Sequence, residues 1–178
     1  MRILFTIVTA AITIVLCYIL NTQSVLPAPL GKLLSPQHGV WQNAEPMEAD
    51  FNEQINLKGL QGAVEVQFND RLVPHIFAEY ENDAYFVQGY LHARFRLWQM
   101  DFQTLAAAGR ISEIVGEKAL PHDREFRRLG MVYAAERTLE VMEADPVLKA
   151  QCDAYTAGVN ARIDELTSST LPLEYKLI

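Results

Sequence analysis

The stretch NDAYFVQGYLHARFRLWQMD, from Asn82 to Asp101, carries the pattern that decides the fold. Phe86, Tyr90, Ala93, Leu97 and Met100 recur at steps of four, three, four and three, so they line one face of a helix that must be buried. Asn82 or Asp83 is placed to cap its start, and Gly109 to end it. Ile111 to Val115 then makes one short further turn, closed by Gly116. Upstream the period changes from helical to alternating. Ala63-Val64-Glu65-Val66-Gln67-Phe68 alternates apolar and polar, as a half-buried strand does. Asn69-Asp70 supplies turn chemistry, and Val73 to Ala78 is a second short strand with Pro74 at an edge-compatible position. The two strands make a hairpin. Downstream, Val132, Ala135, Leu139 and Met142 mark a second amphipathic helix. Asp145-Pro146 opens a third, Asp as cap and Pro at the first helical position, with the stripe Leu148, Cys152, Tyr155, Val159 and Ile163. The fold class is α+β: a short hairpin followed by several amphipathic helices.

Ahead of the hairpin the chemistry is different. Ile3 to Leu20 has no charged residue, no Pro and no Gly, and its roughly 18 residues suit a helix crossing a hydrocarbon core. A lone positive side chain, Arg2, precedes it, which fits a cytoplasmic N-terminus. A secretory signal would have a shorter apolar region and a small-x-small cleavage site, whereas Asn21-Thr22-Gln23-Ser24-Val25-Leu26 follows here. An uncleaved anchor is therefore preferred to a cleaved signal; both place the body outside the cytoplasm. Bulky Leu16 before Cys17 argues against lipidation. Leu26 to Pro46 is rich in Pro and Gly and reads as an irregular arm in which Trp41 packs onto the body. The organisation expected is a membrane helix over 1–25, an arm over 26–54 and a folded body over 55–178.

The chain has 178 residues and a formal charge of −7, an acidic balance that argues against a nucleic-acid partner. Cys17 and Cys152 form no disulfide framework and have no zinc-site spacing. There is no G-x-S-x-G elbow, H-E-x-x-H, P-loop or G-x-G-x-x-G. His38, His75, His92 and His122 show no ligand spacing. A Ser112, His75 and Asp83 set can be written down, but such sets are defined by geometry. Glu113 and Glu117, like Glu136 and Glu140, sit at helical spacing near Arg110 and Arg137 and read as surface ion pairs. Val73-Pro74-His75-Ile76, the run from Gly89 to Asp101, and Gly109 to Gly116 read as close helix–strand packing with an internal Arg–carboxylate network. No catalytic, cofactor-binding or metal-ligating residue emerges.

The ordered motifs V-P-H-I (73–76), D-A (83–84), G-Y (89–90), R-L-W-Q-M-D (96–101), G-R-x-x-E-x-x-G (109–116), R-R-x-G (127–130), A-G-V-N-A (157–161) and L-P-x-E (171–174) resemble the α chain of penicillin acylases. P-L-G-K-L-L (29–34) and G-V-W-Q-N-A (39–44) resemble an arm of membrane-anchored members. Leu72 stands where that family usually has Gly, and Phe95 where an Asp precedes Arg-Leu. The resemblance implies an N-terminal-nucleophile (Ntn) hydrolase with an αββα core, of which this chain is a part. The implied enzyme cuts itself into α and β chains. A Ser freed at the β-chain N-terminus attacks an amide carbonyl, with its own α-amino group as general base. It also implies calcium in the complete enzyme, none of it held by these residues, a β-chain partner, and a small N-acyl substrate such as a β-lactam. An acyl-homoserine-lactone acylase is the alternative within the family. A membrane-anchored scaffold or binding protein is the alternative of another class. The nucleophile lies outside these residues, so the expectation is that they are inactive alone.

Overall fold

A computed structural model describes residues 2–22, 29–35, 39, 51 and 53–178. The described helices are α1 (Arg2–Asn21), α2 (Glu81–Ala107), α3 (Ser112–Val115), α4 (Leu120–Leu129), α5 (Met131–Glu143), α6 (Pro146–Asp164) and α7 (Leu173–Leu177). The strands are β1 (Val64–Phe68) and β2 (Pro74–Ala78), antiparallel, with Val66 opposite Ile76 and Phe68 opposite Pro74. The chain divides into two compact units, one of residues 1–47 with 168–178 and one of residues 48–167. Trp41 lies outside the described residues.

The hairpin closes as its sequence asks. Asn69 Oδ1 accepts from the N–H groups of Arg71 and Val73, and the Leu72 N–H donates to Asn69 O at 2.8 Å. This is a three-residue connection in which the last loop position is left-handed. Leu72 occupies that position at φ +57°, which gives the physical reason a glycine suits it. The other departure from the family pattern, Phe95, joins an aromatic cluster with its ring centroid 6.1 Å from Phe68 and 5.8 Å from Phe51. Arg94 beside it pairs with Glu53.

The core of the larger unit is the crossing of α2 and α6. Phe86, Val87, Tyr90, Leu91 and Ala93 are buried on α2, while Leu97 and Met100 are half-buried. Leu60, Val66, Ile76, Ala154 and Ala161 pack against this cluster. Two glycines set the helix spacing. A Cβ on Gly158 would fall 1.8 Å from Phe86 O, and one on Gly89 would fall 2.1 Å from Tyr155 O. Each helix thus has a bare patch into which the other's backbone fits. The helix–strand packing expected from the sequence is present, with Val66, Phe68 and Ile76 against the α2 cluster, and the closest approach is helix on helix. The stripe expected for α6 holds in its middle and fails at its ends: Cys152, Tyr155 and Val159 are half-buried, with Tyr155 and Val159 against Gly89, while Leu148 and Ile163 are exposed; Ala154, Gly158 and Ala161 also face α2. Small residues carry no hydrophobic signal, yet they permit the closest approach.

Three further details differ from expectation. Neither Asn82 nor Asp83 caps α2, which begins after Tyr80 with no side-chain cap. The helix is kinked at Arg96, whose φ and ψ are −142° and 22°. Helix α4 was not read from the sequence, since LPHDREFRRL offers few apolar residues, Leu120, Phe126 and Leu129, among many charges. Asp145 does cap α6, accepting from the Val147 and Leu148 N–H groups. The described residues contain one two-stranded sheet, so the αββα layering is not displayed by them.

Candidate functional site

Two buried carboxylates organise the larger unit, and each is spent on backbone. Asp83 is buried at the start of α2, where its oxygens accept from the Gln61 N–H at 3.0 Å and the Gly62 N–H at 2.8 Å. It therefore ties the segment ahead of β1 onto α2. Asp123 is buried on α4 and accepts from the N–H groups of Ile111 and Ser112 at 2.9 and 2.8 Å, and from the Ser112 hydroxyl. Burial pushes the Asp123 carboxyl up, but the hydrogen bonds from Ser112 and Ile111 outweigh this and hold it below the usual range. Arg127 Nε donates to Gly109 O at 2.8 Å. A Cβ at Gly109, whose φ is +66°, would come within 2.6 Å of Asp123 O. The glycine, the serine turn and α4 are thus one locked corner. At this corner the carboxylate is held by backbone amides, and the Arg–carboxylate contacts expected from the sequence appear elsewhere, as Arg94–Glu53 and Arg162–Glu165. The Arg110–Glu113 pair, at 2.7 Å, lies half-exposed on the outside.

A cavity of about 640 Å³ opens between the start of α2 and the face of α6. Phe86, Ala157 and Ala161 form its apolar part, and Lys58, Asn160 and Asp164 are among its polar groups. Next to it, Tyr90 Oη donates to Glu165 Oε2 at 2.7 Å, and Arg162 reaches the same carboxylate at 3.2 Å. Burial, then the hydrogen bond to Glu165, pushes the Tyr90 phenol up to about 12, so it remains a donor. His92 Nδ1 lies 2.9 Å from Tyr155 Oη, a further polar link between α2 and α6.

None of this activates a nucleophile. The Ser112 hydroxyl donates a hydrogen bond to Asp123 Oδ2 with no imidazole between them. His75 stands by Asn69 at 3.5 Å, and Asp83 is engaged with Gln61 and Gly62. The set Ser112, His75 and Asp83 is therefore not assembled. His122 stacks on Phe126 at 4.1 Å, with Nδ1 3.9 Å from Asp123 Oδ1; His38 lies outside the described residues. Glu113 and Glu140 pair with Arg110 and Arg137, as surface charges at helical spacing should. Among the described residues no three His, Cys, Asp or Glu side chains group to hold a metal ion. The site-like features that sequence reasoning missed are Asp123, the Tyr90–Glu165–Arg162 link and the Gly89–Gly158 crossing. The glycine motifs G-Y and A-G-V-N-A were the signal for the last.

A family model described as penicillin amidase matches residues 63–178. The penicillin acylase 2 proenzyme of Pseudomonas sp. (strain SE83) is 39% identical over 124 residues, covering 70% of this chain and 16% of its own length. An acyl-homoserine lactone acylase, QuiP of Pseudomonas putida, is 35% identical over 140 residues, covering 79% of this chain and 16% of its own. A solved structure of a thermostable penicillin G acylase from Alcaligenes faecalis superposes with a TM-score of 0.54 at 26% identity, over 64% of this chain and 60% of that chain. The chain spans about 16% of the length of the curated relatives it matches.

Proposed function

Because the chain belongs to the penicillin amidase family, a family of amide-hydrolysing acylases, we propose that it supplies an α-chain scaffold of such an acylase. In this reading it adds no reacting group. The observation that carries the proposal is that the motifs shared with the family fall on the contacts that lock the scaffold. Gly89 and Gly158 interlock α2 with α6, and Asp83 fastens the segment before the hairpin. Asp123 and Gly109 lock the corner between α2 and α4.

The nucleophile of the proposed enzyme is a Ser at the freed N-terminus of a separate β chain. An α-amino group titrates near 7.7–8.0, so it is partly unprotonated at neutral pH and can take the hydroxyl proton as the oxygen attacks an amide carbonyl. The C–N bond breaks and the amine leaves with that proton, the acyl group stays on the Ser oxygen as an ester, and water then hydrolyses the ester to a carboxylic acid and restores the Ser. Among the described residues no three His, Cys, Asp or Glu side chains group, so these side chains do not fit a calcium site.

The substrate proposed is a linear N-acyl amide, an acylated β-lactam being the first choice. The acyl-homoserine lactone reading is favoured by the relative at 35% identity that covers the larger share of this chain. Membrane attachment through α1 is part of the proposal. Its support is the helix Arg2–Asn21, whose apolar stretch has a mean hydropathy of 2.7 and is not buried. The hydroxyls of Thr6, Thr9 and Thr13 all donate to carbonyls one turn back, which spares the lipid any unpaired hydroxyl there. The test is expression of the complete reading frame that contains these residues. Its product should release acid from phenylacetyl or longer aliphatic amides, while residues 1–178 alone should release none. A complete product inactive on both classes overturns the proposal, as does turnover by residues 1–178 that vanishes in Ser112→Ala.

A further inference from the structure

The smaller unit brings the end of the apolar helix, the arm and the segment after α6 to one place. Helix α1 offers the uncharged run Ile3 to Leu20, which at about 1.5 Å per residue spans roughly 27 Å. That nearly equals the hydrocarbon thickness of about 30 Å. Asn21 then stands where hydrocarbon gives way to headgroups. The arm returns to this point, because a Cβ on Gly31 would lie 2.9 Å from Asn21 Oδ1 and 3.2 Å from Leu20 O. The next residue, Lys32, donates from Nζ to the carbonyl of Lys176 at 2.9 Å. Lys176 Nζ in turn donates to Ser169 O at 3.1 Å. Between the end of α1 and the end of α7 there is thus one peptide step of about 3.8 Å and one lysyl side chain. The headgroup layer is about 5–8 Å thick on each side, so α7 cannot lie far above it.

We infer that the turn Leu30–Leu34 and α7 form a foot that rests in the headgroup layer of a phospholipid bilayer beside the exit of α1. The inference rests on the reading of α1 as an uncleaved membrane helix and specifies what else touches the lipid. The composition fits an interface. Tyr18 on α1 and Leu34 on the turn are each more than half exposed, at 64% and 66%. An aromatic ring and apolar side chains at headgroup depth, with lysines beside them, are what such a layer accommodates. The 3-10 turn itself follows from its sequence, since Pro29 precedes it and the Leu-Gly-Lys-Leu-Leu run has no room for a longer helix before Ser35-Pro36. The L-P-x-E motif at 171–174, which starts α7, would thereby be held at the membrane surface.

The experiment uses the full chain reconstituted into vesicles of phosphatidylcholine and phosphatidylglycerol. Ile178→Trp is introduced with Trp41→Phe, Trp98→Phe and Cys152→Ala, and Tyr175→Trp in the same background serves as a second reporter. The tryptophan emission should shift to shorter wavelength on reconstitution. A nitroxide near the headgroup should quench it more strongly than one at the acyl-chain terminus. Lys32→Ala, which removes the tie to Lys176, should weaken that quenching. Cys17 is read separately with a water-soluble maleimide. Labelled Cys17 means that the membrane reading itself has failed, and the inference with it. Protected Cys17, with both reporters unquenched at either depth, overturns the inference and leaves the anchor standing.

Discussion

Gly158→Ala tests the central packing claim, because the sign of its effect depends on whether α6 really meets α2 there. In an ordinary helix interior the change stabilises by about 1 kcal/mol, since Ala is the better helix former. Here the new Cβ would lie 1.8 Å from Phe86 O, 2.7 Å from Phe86 C and 3.0 Å from Tyr90 N, all backbone atoms of the facing helix. No rotamer change can relieve contacts of that kind. Restoring a separation of about 3.5 Å requires the helices to part locally by more than 1 Å, and a gap of about 0.5–1 Å already forfeits a quarter to a half of each dispersion contact. Overpacking of this sort costs about 1–3 kcal/mol, at the upper end when backbone must move. Set against the propensity gain, the net loss expected is about 2 kcal/mol. The assay is urea unfolding of the full chain in detergent micelles, followed by helical circular dichroism and compared at equal m value. Gly89→Ala meets Tyr155 O at 2.1 Å and should behave alike. The double variant should lose less than the sum, because helices parted by one methyl already accommodate the other. A Gly158→Ala variant as stable as the parent, or more stable, would refute the crossing.

Leu72→Gly should stabilise by about 0.5–1 kcal/mol: a left-handed L-residue costs about 1–2 kcal/mol, the extra freedom of Gly in the unfolded chain returns part of it, and Leu72 is 59% exposed, so little burial is lost; a fall in midpoint would count against the turn as described. Asp83→Ala should destabilise by about 3 kcal/mol, since the Gln61 and Gly62 N–H groups lose a charged acceptor, and Asp83→Asn should retain part of that because one oxygen remains; equal losses in both would argue against the hydrogen bonds as the cause. The Tyr90 phenol is raised from 10.0 to about 12 in the folded chain, so its contribution to stability is complete below pH 10 and is lost as pH rises toward 12. An ultraviolet titration of ionising tyrosine with and without Tyr90→Phe measures this, and a Tyr90 that ionises with the exposed tyrosines would contradict it.

Much of this protein was legible before any coordinates. The alternation of Val64, Val66 and Phe68, the Asn69-Asp70 turn and the run from Phe86 to Met100 are local patterns. Backbone geometry alone converts them into a hairpin and a helix face. Asp145-Pro146 likewise announces α6, because capping is a matter between neighbours. The motif order pointed to the family, and absent motifs argued against the common nucleophile and metal signatures. What tertiary structure alone decided has a common cause. Gly89 and Gly158 matter through atoms they lack, so no hydrophobic count weighs them. Asp83 and Asp123 are buried against backbone amides of distant segments, and a backbone amide has no letter in the sequence. Arg96 interrupts α2 without the Pro or Gly that marks most kinks. The α6 stripe was legible at Cys152, Tyr155 and Val159, which are half-buried, but its ends were not, and Ala154, Gly158 and Ala161 were missed because bulky residues dominate a periodicity whereas two helix backbones can approach only where side chains are small.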